Sequence, residues 1–355
     1  MILRLRSRHR ARIGTSQEHC LPAARSRLSP DIDLDGDGKQ TGFLRLPHSV
    51  HRSAYGWIPI PIAAIGRGAG PRVLLMAGNH GDELEGQVAL GRLIRELQPG
   101  EVRGHVIILP SANFPAAMAG SRTSPIDGGN LNRSFPGDPG GGPTEQIAYY
   151  LESELLPRVD FVLDIHSGGS SLTYIPSTLG RRPDTPEAME QALAMMRIFG
   201  APFGYLNDVP LDGPTITAAA ARAGTRHMST ELAGGGQVTP SALRIAEGGV
   251  RRVLHALGAL LNDPPSAEYQ TRLMQVRGQD YYCYAPDGGL FEPLIELGAE
   301  VDAGTPAGLI HAHDTPWREP ATARFSRRGT VICRRVPGRV ERGDCLYHLA
   351  TDLER

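Results

Sequence analysis

Apolar residues along this chain fall into two alternating rhythms. Arg72 to Ala77 (RVLLMA) is a short, nearly unbroken apolar run, the mark of a strand buried on both faces. Leu84, Val88, Leu93, Ile94 and Leu97 then recur at helical spacing. His105 to Leu109 and Phe161 to Ile165 read as further buried strands, and Thr144 to Leu156 between them as a helix. Thr185-Pro186 opens another helix, with a capping hydroxyl before a proline at the first helical position; it runs to Phe199, and Gly200 suits its end. His227 to Leu232 is strand-like, and Thr239-Pro240 starts a last helix reaching about Leu261. Buried strands alternating with amphipathic helices predict an α/β fold: a mostly parallel mixed sheet flanked by helices.

Asp263-Pro264-Pro265-Ser266 ends this rhythm, so we expect a boundary between a first domain at 42–263 and a second at 264–355. The second consists of short strands between glycine turns. It holds a weak internal repeat: Gly298-x-x-Val301-x-x-Gly304 leading to Leu309, and Gly338-x-Val340-x-x-Gly343-Asp344-x-Leu346. Two such hairpins predict a small all-β barrel or sandwich. The pattern is similar to that of biotinyl and lipoyl domains, but no lysine stands at a matching hairpin tip, which favours a structural or lid role over a carrier role.

Residues 1–41 read as a disordered basic extension. Arg4, Arg6, Arg8, Arg10, Arg12, Arg25 and Arg27 fall here, without the apolar centre of a secretory signal. Asp31, Asp33, Asp35 and Gly36 resemble the start of an EF-hand loop. Gly42 occupies the position where that loop needs a bidentate glutamate, so a polar turn is the better reading.

Composition narrows the partners. Of 355 residues, 40% are apolar and 21% charged, a globular balance. The formal net charge of -1 leaves no electrostatic footprint for nucleic acid or an anionic membrane, which points to a small molecule. No apolar run reaches the length of a membrane span. Cys20, Cys283, Cys333 and Cys345 form no C-x-x-C pair. They fit free thiols in a reducing, cytoplasmic setting, with a Cys333–Cys345 disulfide as the minor alternative. Oligomeric state is not legible.

The densest chemistry lies in Gly78-Asn79-His80-Gly81-Asp82-Glu83, between an apolar strand and an amphipathic helix. Spaced three apart at a strand-to-helix turn, His80 and Glu83 can converge beyond the carboxyl edge of the sheet, where open α/β sheets bind ligands. Nitrogen and oxygen donors suit zinc. Alone, H-x-x-E is common on surface helices. His166, at the tip of the strand ending Asp164-Ile165-His166, adds a third donor at the same edge; its bland alternative is a core histidine. Two histidines and a glutamate with one open position make a reactive zinc site. Asp164 can accept the other ring N–H of His166. Glu231, ending a strand before Gly234-Gly235-Gly236, is a candidate general base, with an ordinary solvated glutamate as the competing reading. Arg122 and the stretch Gly129 to Pro136, holding Asn132 and Arg133, can bind a carboxylate or a developing oxyanion.

Taken in order, GNHGDE, N-x-N-R, the strand-end DxH and the strand-end TEL resemble the succinylglutamate desuccinylase/aspartoacylase family, a relative of zinc carboxypeptidases, from about Gly42 to the C-terminus. The resemblance implies one zinc per chain on His80, Glu83 and His166, with Glu231 as general base. It also implies that Asn132 and Arg133 hold the substrate carboxylate, and that Arg122 polarises the scissile carbonyl. The loop from Arg122 to Asn132 is longer than in aspartoacylase. Residues 42–47, 122–137 and 166–169 are more particular and resemble the branch acting on Nα-acetyl-L-2,4-diaminobutyrate in ectoine degradation. This implies acetate and L-2,4-diaminobutyrate as products. The acidic loop residues Asp208 and Asp212 are then candidates for meeting the 4-ammonium group. A deacylase for another N-acyl amino acid, a zinc carboxypeptidase and an inactive binding module stay open as alternatives. A phosphate-binding role finds no glycine-rich fingerprint after a strand.

Overall fold

The computed structural model describes residues 25–354, so Arg4 to Arg12 and Cys20 lie outside it. The chain enters through β1 (Ser29–Pro30), β2 (Gly38–Pro47), β3 (Trp57–Arg67) and β4 (Arg72–Ala77). Next come α1 (Leu84–Glu96), β5 (Gly104–Leu109), α2 (Phe114–Ala119), α3 (Pro143–Tyr150) and β6 (Phe161–His166). They are followed by β7 (Leu172–Tyr174), β8 (Ser177–Arg181), α4 (Pro186–Phe199) and β9 (Phe203–Asn207). The rhythm ends with α5 (Ile216–Ala223), β10 (Arg226–Glu231) and α6 (Pro240–Ala256). One mixed sheet runs in the order β1-β2-β3-β5-β4-β6-β10-β8-β9 and continues past it. Its centre, β5-β4-β6-β10, is parallel throughout.

Strands β4, β5 and β6 are apolar on both faces because both faces are covered. Val73, Leu75 and Ala77 of β4 pack into the core formed with α1, α4 and α6, whereas Leu74 and Met76 pack into the one formed with α3 and α5. Helix ends follow their caps: Thr185 Oγ1 accepts from the Ala188 N–H, and Gly200 closes α4 at φ 75°. Helix α6 stops at Ala256, earlier than its apolar pattern predicts. Gly258 at φ +77° turns the chain, and Leu261 then binds back to the Glu101 carbonyl. The helix expected at 144–156 starts as α3 and relaxes into one wider turn over Leu151–Leu155.

Order begins before residue 42. Leu28 and Leu34 are buried in the core behind β2 and β3. The acidic turn serves the fold: Asp31 accepts from the Phe43 N–H and pairs with Arg45, Asp33 accepts from the Asp35 N–H, and Asp35 pairs with Arg72 and Arg158.

Beyond residue 263 the sheet does not stop. Here lie β11 (Arg272–Val276), β12 (Tyr282–Tyr284), β13 (Gly289–Pro293), β14 (Glu300–Val301) and β15 (Pro306–His311). They are followed by β16 (Ala321–Arg324), β17 (Gly329–Arg335), β18 (Arg339–Val340) and β19 (Cys345–Asp352). Strand β11 lies parallel to β9 and antiparallel to β19, extending the main sheet through β19, β17 and β14. A second sheet, β16-β15-β13-β18, closes a β-rich unit over a core including Phe291, Val301, Val340 and Leu346.

The internal repeat is real, but its units are not hairpins. Strand β14 pairs with β17 while β15 pairs with β13; likewise β18 pairs with β13 while β19 joins the main sheet. Each unit is a crossover between the two sheets, turned at Gly304 (φ +84°) or Gly343 (φ +92°). Apolar residues on both sides of the turn, Val301 with Ile310 and Val340 with Leu346, face one shared core from opposite sheets. Cys283, Cys333 and Cys345 are free thiols, so the alternative disulfide is absent. Among the described residues, no helix is long and apolar enough to cross a membrane.

Candidate metal centre and active site

Strands β4, β6 and β10 are consecutive neighbours, and their carboxyl ends set the site. Ala77 is in register with Ile165, and His166 with Glu231. After β4 the chain turns at Gly78 (φ +66°), where a Cβ would meet the Ser111 Cα at 2.8 Å. At Gly81 an added Cβ would lie 2.0 Å from the Ala116 backbone, and the Gly81 N–H donates to the Ser121 carbonyl. The loop bearing Arg122 is thereby fastened to the loop bearing His80.

His80, Glu83 and His166 are buried, and one donor atom from each falls within 4.8 Å of the other two. His80 Nδ1 lies 2.6 Å from Glu83 Oε1, and His166 Nδ1 lies 2.7 Å from Glu83 Oε2. The remote ring nitrogens have their own acceptors: Asp164 Oδ2 at 2.6 Å from His166 Nε2, and Asn130 Oδ1 at 3.1 Å from His80 Nε2. If both Nε2 atoms carry the proton, both Nδ1 lone pairs face a carboxylate. Lone pairs against lone pairs in a buried site call for a shared cation, so the donor set fits a metal ion. Among the described residues it is the one such cluster. The charges agree. Burial opposes ionisation of Glu83, yet His166 and His80 hold its carboxyl far below the usual range. Burial likewise disfavours a charged His166, but Asp164 and then Glu83 push it well upward.

Asp164, fully buried, also accepts from Asn79 Nδ2 at 3.1 Å, so the residue before His80 braces the support of His166. Glu231 reaches the same space from β10. Burial, reinforced by the Glu83 charge, raises its carboxyl well above the ordinary range, and its Oε2 has no hydrogen-bond partner among the described residues. The glycine turn behind it is held by buried Glu85, which accepts from the Gly234 N–H at 3.0 Å.

Arg122 Nη1 lies 3.4 Å from His80 Nδ1 and 3.5 Å from Glu83 Oε1, with the guanidinium half exposed. Leu131–Arg133 forms a tight turn anchored by buried Leu131. Asn132 Oδ1 accepts from the Ile216 N–H at the start of α5, which leaves the Asn132 Nδ2 donors for the cavity. Partial burial and then the Arg122 charge lower the Arg133 guanidinium, a repulsion that an anion between the two relieves. These groups line one cavity of about 310 Å³ with the histidine cluster and Glu231.

The structure therefore brings His80, Glu83, His166, Glu231, Arg122, Asn132 and Arg133 to one cavity. It does not bring Asp208 or Asp212: both are exposed, and Asp208 pairs with Arg182 at 3.3 Å. Sequence reasoning missed Asn130, although it sits inside the quoted N-x-N-R stretch, and Glu85, two residues past Glu83. It also missed Tyr282 and His348, which line the cavity from beyond residue 263 and carry no local signal.

Residues 69–257 match the succinylglutamate desuccinylase/aspartoacylase catalytic domain. The N-alpha-acetyl-L-2,4-diaminobutyric acid deacetylase of Halomonas elongata is 39% identical over 330 residues, which cover 93% of this chain and 96% of that protein. The product-bound ectoine utilization protein EutE of Ruegeria pomeroyi superposes with a TM-score of 0.87 at 39% identity, over 92% of this chain and all of that one. A succinylglutamate desuccinylase/aspartoacylase structure from Rhodobacter sphaeroides gives 0.88 at 40% identity, over 93% and 100%. Similarity of this extent runs through the cavity and the β-rich region alike, and on it the chain belongs to the succinylglutamate desuccinylase/aspartoacylase family.

Proposed function

We propose that this protein hydrolyses the amide of Nα-acetyl-L-2,4-diaminobutyrate, giving acetate and L-2,4-diaminobutyrate, with zinc held by His80, Glu83 and His166. The observation that carries the reaction class is the lone-pair cluster beside Glu231 and two guanidinium groups. The substrate rests on the similarity to the Halomonas elongata deacetylase over nearly the whole chain. A bound zinc ion supplies Lewis-acid activation of water and of the amide carbonyl.

The chain's own residues account for the rest. Glu231 takes a proton from the attacking water as its oxygen bonds to the acyl carbon. It returns the proton to the departing amine nitrogen when the C–N bond breaks. Arg122 donates to the carbonyl oxygen as negative charge develops there. Arg133 and the Asn132 amide grip the α-carboxylate, turning binding energy into orientation. His166 is kept aimed by Asp164, and His80 by Asn130.

The test is a deacylation panel on zinc-loaded protein: Nα-acetyl-diaminobutyrate, Nγ-acetyl-diaminobutyrate, N-acetylaspartate, N-succinylglutamate and a short peptide. Turnover confined to the first and abolished by a chelator is expected. Turnover of another acyl amino acid would keep the deacylase and replace the substrate; faster cleavage of the peptide would replace the reaction class.

A further inference from the structure

The proposed substrate carries a cation at the end of its side chain, yet the cavity holds no spare carboxylate to meet it. Its ionisable carboxylates are Glu83 and Glu231, both committed to the metal centre and its proton transfers, and its cations are on the opposite errand, at Arg122 and Arg133. The remaining wall is neutral: Tyr174, Tyr205, Tyr282, His348, Asn207 and Ser229 among its polar members.

That wall contains polar atoms without partners. Both ring nitrogens of His348 and the Asn207 Oδ1 are buried, and none has a hydrogen-bond partner among the described residues. A buried polar atom left unmet is destabilising, so three on one cavity wall point to a ligand that meets them. His348 is only 3% exposed and held in place: Tyr282 stacks on it at 4.3 Å and 11°, with Tyr205 at 5.8 Å and Tyr174 at 6.2 Å set edgewise. Burial pushes the imidazole down to about 3, so the ring is neutral and one nitrogen is an acceptor. Burial also keeps the three phenols protonated, raising Tyr282 to about 12 and the other two well above the usual range.

We propose that His348 and Asn207, backed by the tyrosine cluster, form the subsite that selects a primary ammonium on the substrate side chain. This rests on the deacylase reading above. An ammonium brings three N–H donors and no acceptor, and so matches unmet acceptors. A carboxylate side chain would set acceptor against acceptor, and a methyl group would leave them unmet. Recognition by neutral acceptors also avoids a fixed carboxylate, which would compete with Glu231 for Arg122 and Arg133.

The test compares kcat/KM for Nα-acetyl-L-2,4-diaminobutyrate with that for Nα-acetyl-L-norvaline, which replaces the ammonium by a methyl of similar size. Zinc-loaded wild type should prefer the ammonium by about a hundredfold or more. His348→Phe, which keeps a ring, and Asn207→Leu should each cut that preference about tenfold through the KM of the ammonium substrate. Bound zinc should stay at wild-type levels, and the loss on acetylnorvaline should be smaller than that on the ammonium substrate. His348→Gln, which restores an acceptor, should recover part of the preference. Equal losses on both substrates, or a preference that moves with Asp208→Asn instead, would overturn the subsite. Equal turnover of both substrates by wild type would overturn it while leaving the deacylase standing. Turnover of neither would remove the deacylase reading and the subsite with it.

Discussion

His80 and His166 each turn Nδ1 toward Glu83 because the other nitrogen is claimed by Asn130 or Asp164. The supports should therefore tune the affinity of this cluster for a metal. Asn130→Ala should weaken zinc binding about 10–100-fold, read by competition with a chromophoric chelator, and an unchanged affinity would remove Asn130 from the site. Glu231→Gln keeps the shape and loses the base. Its kcat should fall about 10²–10⁴-fold while zinc content holds, and wild-type turnover would dismiss the proton-transfer role. His80, Glu83 and His166 were legible as candidates because they stand at or just past the ends of apolar strands, whereas Glu231, at the end of the largely polar β10, was carried by the glycine turn that follows it. Asn130 was not assigned a role because its partner is 50 residues away, and nothing local marks a hydrogen bond of that range.

At the scale of elements, the site depends on β4, β6 and β10 being neighbours. Periodicity predicts these strands and helices α1, α3 and α4 between them, but not α2 or α5, and strand order is a tertiary fact; it places Glu231 beside His166 across 64 residues of intervening chain. Helix α1 must then lie close enough to the sheet for Glu83 to reach both histidines, and Gly86 permits it. A Cβ there would sit 2.7 Å from Ile165 Cγ2 and 2.9 Å from Ala77 Cβ, on two of those strands. Alanine normally favours a helix interior over glycine by roughly 0.5–1 kcal/mol. Here overlap should win, and Gly86→Ala should destabilise by about 1–3 kcal/mol net, with weaker zinc binding because Glu83 is displaced. A melting temperature at or above wild type would show that α1 can retreat without cost. The hairpin expectation for the C-terminal repeat failed on the same ground: glycine turns were readable, but which sheet each strand enters was not.

For the whole molecule, the composition break at Asp263–Ser266 marks a change of pattern across a sheet that is continuous. Strand β11 covers the edge of β9, and β19 covers β11. Arg272 ties that junction together, paired with Asp352 at 2.6 Å and with Glu300 at 3.1 Å. Exposed ion pairs of this kind contribute little, so pairing of the strands and the apolar contact of Tyr205 with the β-rich core must carry the junction. Removal of residues 264–355 would bare the main-chain groups of β9, a ready template for another chain. It would also strip Tyr282 and His348 from the cavity. The 25–263 fragment should therefore aggregate or melt without cooperativity, and zinc should not rescue turnover of Nα-acetyl-diaminobutyrate. Size-exclusion chromatography and a thermal melt followed by circular dichroism decide the matter. A monomeric fragment with a sharp transition would mean that the first 263 residues fold alone, leaving the β-rich region as a separable wall of the active site. Loss of cooperative folding would mean that substrate selection and stability share one junction, so substitutions that tune the wall formed by Tyr282 and His348 act on both at once.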